Sequence, residues 1–189
     1  MRGNLFIITG PSGVGKTTVA MELLKRRDNL KKIVTCTTRP MRDNETNGVS
    51  YHFLDQDTFQ VHIDAGEMFE WDKHYDHFYG SRKSDVETII ASGNDVLFVV
   101  DVQGAINIKK TNPDVIVFFL EAETPQELLD RIKKRDGDNT VGFEERMKAL
   151  EKEMAYGEQA DYAIVNKDGK IDQTVAQVME LMDDLDAKS

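Results

Sequence analysis

The sequence predicts an α/β protein built on a parallel sheet, and three observations lead there. Stretches rich in branched and aromatic residues alternate with helical patterns along the chain, as parallel strands joined by crossover helices do. Apolar runs such as Leu5-Phe6-Ile7-Ile8 and Val96-Leu97-Phe98-Val99-Val100 read as buried strands. The first run passes directly into Gly10-Pro11-Ser12-Gly13-Val14-Gly15-Lys16-Thr17-Thr18, followed by a helix-like segment carrying Val19, Ala20, Leu23 and Leu24.

The elements follow in order. After a helix over 16–27, residues 32–37 read as a second strand. A polar, turn-rich stretch fills 39–49. Short extended pieces are predicted over 51–54 and 68–74, with a helix over 57–65 between them. Residues 75–81 read as a tight polar turn whose Tyr79 faces the site, and 83–92 as a helix. The middle region, 34–81, lacks the long apolar strands of its flanks and reads as an inserted substrate subdomain. The core returns with a strand over 96–101 that ends in Asp101. A helix over 104–111, a strand over 115–120 and a helix over 127–135 come next. Residues 136–142 lack apolar anchors and are expected to form a mobile loop. A long helix over 143–156, a strand over 162–165 and a helix over 171–185 close the chain.

Composition narrows the classes. The 189 residues suit one compact domain, and 40% hydrophobic content supports a core. A net charge of −10 argues against a nucleic-acid polymer or an anionic membrane as partner. The single cysteine, Cys36, excludes an internal disulfide and reads as a packed small residue. No apolar run approaches the ~20 residues of a membrane span, and no signal peptide is visible. A cytoplasmic protein is expected.

The segment Gly10 to Thr17 fits G-x-x-x-x-G-K-(S/T), the phosphate-binding P-loop pattern, between a strand and a helix. Glycines let successive backbone N–H groups point at one phosphate cluster, and the helix opening there adds its positive end. Lys16 can reach the β/γ-phosphates of a nucleotide, and the Thr17 hydroxyl can ligate Mg²⁺. Asp101, at a strand end, stands where such proteins keep an acid near that metal; the alternative is an acid capping the next turn. Arg39 and Arg42 flank Pro40-Met41. Arg131 and Arg135 share a helix face, and Arg146 follows the polar loop. Guanidinium forks suit phosphate oxygens; a solvated helix face paired with Glu127, Asp130 or Glu145 is the plainer alternative. His52, His62, His74 and His77 lack tight metal-ligand spacing, Trp71 reads as core, and Asp183, Asp184 and Asp186 read as a solvated terminus.

An ordered set of segments resembles the guanylate kinase family along nearly the whole chain. It comprises Gly10–Thr18, Thr35-Cys36-Thr37-Thr38-Arg39-Pro40-Met41-Arg42, Asn47-Gly48-Val49-Ser50-Tyr51-His52-Phe53, Phe69-Glu70-Trp71, Tyr79-Gly80-Ser81, Asp101-Val102-Gln103-Gly104, Arg131, Arg135, Arg146 and Ile164-Val165-Asn166. The resemblance implies a P-loop NTPase three-layer fold: a five-stranded parallel sheet with helices on both faces, core segments 1–33, 82–125 and 147–189, a nucleoside-monophosphate-binding subdomain over 34–81 and a short lid over 126–146. It implies ATP, GMP and Mg²⁺ as ligands, with dGMP a further candidate acceptor, and leaves monomer or homodimer open. By the same resemblance Arg39, Arg42, Tyr51 and Tyr79 hold the acceptor phosphate. Thr35, Glu70, Ser81 and Asp101 read guanine. Gly10 to Thr18 and Asn166 hold ATP, with Asn166 near the adenine, and Lys16, Arg39, Arg131, Arg135 and Arg146 carry the transfer. Thr17, and Asp101 as second candidate, would serve the metal. Thr35 stands where the family often has serine, and Val99 where it often has an acid.

Elementary chemistry points the same way. Guanine presents N1–H and N2–H₂ side by side, so one carboxylate, Glu70, can accept both, while O6 wants hydroxyl donors such as Thr35 and Ser81. Two other readings stay open: a sugar-phosphate kinase on the same scaffold, which would lack that paired N–H face, and a binding module without catalysis, which an intact phosphate loop disfavours.

Overall fold

The computed structural model describes residues 3–74, 76–136, 150 and 153–187. The chain runs β1 (Leu5–Thr9), α1 (Lys16–Arg26), β2 (Leu30–Lys32), β3 (Cys36–Thr37), β4 (His52–Phe53), α2 (Gln56–Asp64), β5 (Met68–His74), β6 (His77–Arg82), α3 (Lys83–Ala91), β7 (Asp95–Val99), α4 (Val102–Thr111), β8 (Ile116–Glu121), α5 (Pro125–Asp136), a 3₁₀ turn (Tyr156–Gln159), β9 (Tyr162–Val165) and α6 (Ile171–Asp186).

Five strands form a parallel sheet in the order β2-β7-β1-β8-β9. Its central strands are apolar over most of their length because both faces are covered. Phe6, Ile8, Leu97, Phe118 and Leu120 pack on one side against Val19, Ala20 and Leu23 of α1 and Val175, Val178 and Met182 of α6. Ile7, Val96, Phe98, Val117 and Phe119 pack on the other against Val86 of α3 and Ala105 and Ile108 of α4. The expected three-layer arrangement is therefore present. Strand β1 lies in the middle, so the loop after it opens at the sheet's carboxyl edge, where open α/β sheets bind ligands.

A second, mixed sheet of order β4-β3-β6-β5 holds residues between 36 and 82. Cys36, Phe59 and Met68 form its small core, with Leu54, Ile63 and Phe78 packed around them. Burial pushes the Cys36 thiol up to about 11, which leaves it an inert packing group.

Several expectations need correction. The single strand over 32–37 is two: Leu30–Lys32 pairs with β7, Ile33 donates its N–H to Leu97, and the chain then crosses to the second sheet at Cys36. A continuous β-forming sequence does not reveal where the partner changes. The turn over 75–81 is mostly strand β6, because five cross-strand pairs with β5, from Glu70↔Ser81 to His74↔His77, outweigh the polar composition. Trp71 is 43% exposed, since it lies on the face of β5 away from Glu70, where it meets Phe78 edge-on. Asp101 does not end a strand: β7 stops at Val99, and Asp101 caps α4 by accepting from the Gly104 N–H at 2.8 Å. The acidic terminus is not merely solvated, because Asp183 and Asp186 bind the guanidinium of Arg27, which is 8% exposed and also faces Asp95. The expected loop over 136–142 lies outside the described residues from 137 on. The helix expected over 143–156 lies outside them for most of its length; 150 and 153–155 are helical.

Candidate active site

The phosphate loop gets its shape from three glycines. Gly10, Gly13 and Gly15 have φ of 139°, 83° and 99°, conformations that side chains resist. A Cβ at Gly10 would lie 2.3 Å from the Leu120 carbonyl oxygen, and one at Gly15 would lie 2.6 Å from the Asn166 amide nitrogen. Gly15 opens α1 with no side-chain cap, which leaves the helix N–H groups pointing into the loop. Val14 is fully buried and anchors the loop in the core. Lys16 folds back on the loop, donating from Nζ to the carbonyls of Gly10 at 2.7 Å and Pro11 at 3.0 Å.

Asn166 ties this loop to the last strand and helix. Its amide donates to the Val14 carbonyl at 2.8 Å and accepts from the Thr174 hydroxyl at 2.8 Å. Arg131, on α5, donates to the Asn166 carbonyl at 2.9 Å, reaches the Val14 carbonyl at 3.4 Å and pairs with Glu127. The Asn166 side chain is thus committed to holding the loop, as is much of the Arg131 guanidinium. Arg135 lies on α5; Arg146 lies outside the described residues.

A cleft of about 630 Å³ opens beside the loop. Lys16, Thr17, Thr35, Arg39, Tyr51, Glu70, Tyr79 and Asp101 all line it. At one end, Ser81 Oγ donates to Glu70 Oε1 at 2.9 Å; Ser81 is fully buried and Glu70 is 8% exposed. Burial pushes the Glu70 carboxyl up to about 7, with the nearby charges of Asp101 and Asp72 adding to the rise and the Ser81 hydroxyl opposing it. A register shift between Met68 and Glu70 lets Phe69 stack on Phe98, 5.4 Å between centroids, and aims Glu70 into the cleft.

At the other end, the Arg39 guanidinium lies against the rings of Tyr51 and Phe53, 5.6 and 5.8 Å from their centroids. Glu45 grips it bidentately at 3.0 and 2.7 Å, which raises its pKa above the usual guanidinium value. Thr37 and Thr38 brace the approach: the Arg39 N–H reaches Thr37 Oγ1, and Thr38 Oγ1 accepts from Phe78 N. Tyr51 and Tyr79 meet edge-on at 6.2 Å, and burial raises the Tyr51 hydroxyl. Arg42 is exposed and does not line the cleft.

Sequence reasoning missed Glu45, Asp72, His77 and Glu153. Asp72 and His77 line the cleft. Asp72 was within reach, since it stands two residues after Glu70 in a predicted strand and so shares its face; His77 was hidden by the turn reading. Glu153, distant in sequence, accepts from the Ser12 N–H at 3.4 Å, and burial raises its carboxyl while Lys16 opposes the rise. No local pattern announces such a contact.

A glycine-shaped anion loop at the carboxyl edge of a parallel sheet, facing a second cationic pocket across a cleft, defines a P-loop phosphotransferase of the nucleoside monophosphate kinase type. The family profile described as guanylate kinase matches residues 2–185. A guanylate kinase of Thermotoga maritima is 35% identical over 182 residues, 96% of this chain and 87% of that one. One of Mycoplasma pneumoniae is 36% identical over 182 residues, 95% of this chain and 75% of that one. The crystal structure of guanylate kinase from Anaplasma phagocytophilum superposes with a TM-score of 0.75 at 29% identity, covering 95% and 84% of the two chains. A shikimate kinase from Bacteroides thetaiotaomicron shares the fold alone, with a TM-score of 0.53 at 15% identity over 95% and 98%. The chain belongs to the guanylate kinase family.

Proposed function

We propose that the chain transfers the γ-phosphoryl group of ATP to GMP, giving ADP and GDP. The observation that carries this is Glu70, buried and held by the Ser81 hydroxyl, lining one cleft with Arg39, Tyr51, Tyr79, Lys16 and Thr17. Glu70 accepts guanine N1–H and N2–H₂, Ser81 orients it, Thr35 donates to O6, and Asp101 lies within reach of the base edge. Arg39, with Tyr51 and Tyr79, holds the acceptor phosphate, and Arg42 swings in from the surface.

The backbone from Gly10 to Thr18 cradles the ATP phosphates, and Lys16 leaves the loop carbonyls for the β/γ-phosphates. Asn166 keeps that loop in shape and lies near the adenine. Arg131 and Arg135 on α5, with Arg146, neutralise the transferring group as parts of the segment 126–146, which closes as a lid over the core of 1–33, 82–125 and 147–189 and the subdomain of 34–81. Thr17 and Asp101 offer hard oxygen donors on one cleft, a set that suits Mg²⁺. When bound, the metal neutralises phosphate charge. The acceptor is already an anion near neutral pH, so no general base is needed, and positioning with charge neutralisation carries the reaction.

Among the described residues no helix is long and apolar enough to cross a membrane; we place the reaction in the cytoplasm. A coupled assay of GDP formation from ATP and GMP, with AMP, UMP and CMP as controls, tests the proposal. Turnover of AMP equal to that of GMP would overturn the role given to Glu70.

A further inference from the structure

Asp72 lies on the wall of the cleft and has none of the roles given above. Side chains alternate along β5, so Glu70 and Asp72 share a face, about 6.6 Å apart along the strand. The pairing with β6 sets Glu70 opposite Ser81 and Asp72 opposite Tyr79. The first pair is the base-reading end. The second borders the phosphate-holding end, where Tyr79 meets Tyr51 and Arg39 lies over the Tyr51 ring. A nucleotide stretched from Glu70 to Arg39 must carry its sugar past the step between those two pairs.

A carboxylate there has a cost, since it helps to push the Glu70 carboxyl upward and weakens its charged form. A matching gain exists on the ligand. Ribose offers two vicinal hydroxyl donors, and the Asp72 carboxylate, whose Oδ1 already accepts from the Lys73 N–H at 2.7 Å, has further lone pairs on its two oxygens. Dinucleotide-binding folds use an acid on ribose in the same way.

We propose that Asp72 accepts hydrogen bonds from the ribose hydroxyls of the acceptor nucleotide, so that the chain prefers a guanine ribonucleotide to its 2′-deoxy counterpart. This rests on the guanine-nucleotide reading of the cleft.

The test measures kcat/KM for GMP and dGMP at saturating ATP and Mg²⁺, for the wild type, Asp72→Ala and Asp72→Asn. A charge-assisted bond to the missing hydroxyl makes the wild-type ratio about 10- to 100-fold in favour of GMP. Asp72→Ala brings the ratio close to one. Asp72→Asn, which keeps one acceptor oxygen, falls between. The ratio is taken within each preparation, so a partly misfolded variant does not distort it. A wild-type ratio near one, or the same ratio in Asp72→Ala, overturns the role of Asp72 while leaving guanine recognition intact. Failure of the wild type to phosphorylate either guanine nucleotide overturns both readings together.

Discussion

Recognition of guanine by Glu70 should be coupled to proton release. The carboxyl sits at about 7 because burial disfavours its charge and Asp101 and Asp72 stand near. Only the ionised form accepts from both N1–H and N2–H₂; the protonated form points a donor at a donor. Apparent GMP affinity should therefore fall about tenfold from pH 8 to pH 6. The GMP phosphate also titrates near pH 6, which lowers affinity on its own. Glu70→Gln isolates the carboxyl: it should lose about 10²- to 10³-fold in GMP affinity at pH 8, by removing a charged pair of hydrogen bonds and opposing an amide to a donor. Its remaining pH dependence is that of the phosphate alone. The wild-type to variant affinity ratio should thus shrink about tenfold at pH 6. Calorimetry in buffers of different ionisation enthalpy should show close to one more proton released per GMP at pH 6 in the wild type than in Glu70→Gln. A ratio that does not move with pH would refute the coupling.

The same carboxyl should mark stability. Its folded pKa lies above the model-peptide value of 4.5, so the folded state holds the extra proton between pH 4.5 and about 7. Stability from this group is full below that window and is lost as pH rises through it, by up to about 3 kcal/mol. Denaturant melts of Glu70→Gln should show that slope removed. Glu153→Gln should tighten ATP binding, because Glu153 places negative charge at the Ser12 amide where phosphate must sit; weaker binding in an equilibrium titration would count against this. Gly15→Ala should abolish ATP binding, since the new Cβ meets Asn166 Nδ2 at 2.6 Å in a φ of 99°; thermal shift with ATP and Mg²⁺ reads it. Asn166→Ala should cost about 2 kcal/mol in urea melts, by taking from the Val14 carbonyl its 2.8 Å donor and from the Thr174 hydroxyl its acceptor. Phe98→Ala should cost about 3–5 kcal/mol and also weaken GMP binding, because Phe98 supports the Phe69 bulge that aims Glu70.

What the sequence revealed and what it hid divides along the range of the interactions. Strand β1, the glycine loop and α1 were legible because a contiguous stretch carries both the burial signal and the turn chemistry. Strands β5 and β9 and helix α6 fell almost where periodicity put them. Strand β6 did not, because its pairing with β5 and β3 is tertiary and its composition is that of a turn. Trp71 was placed in the core on hydrophobicity, yet the strand face decides, and that face looks outward. Glu45 was passed over although it lies six residues from Arg39, because a loop carries no period from which contact can be read. Glu153 and the Arg27 cluster join parts of the chain more than a hundred residues apart. Asp101 caps α4, as one of its two sequence readings had it, and it also lines the cleft.

The mixture of charge in the cleft says more about its ligand than any residue does alone. Lys16 and Arg39 line it together with three acids, Glu70, Asp72 and Asp101. On the proposed reading such a site disfavours a simple polyanion, which would meet three carboxylates, and equally a simple cation, which would meet two basic groups. On the proposed reading it favours a molecule that joins anionic groups to a neutral part rich in donors. A purine nucleotide facing the phosphates of a second nucleotide has that pattern, with phosphates at the cations and N–H and O–H groups at the acids. The overall charge of −10 does not oppose this, because fields within a walled cleft are set by the groups that line it. The acids on the wall then act as a filter: each lowers affinity for bare phosphate and restores it only for a ligand that presents a donor at its position.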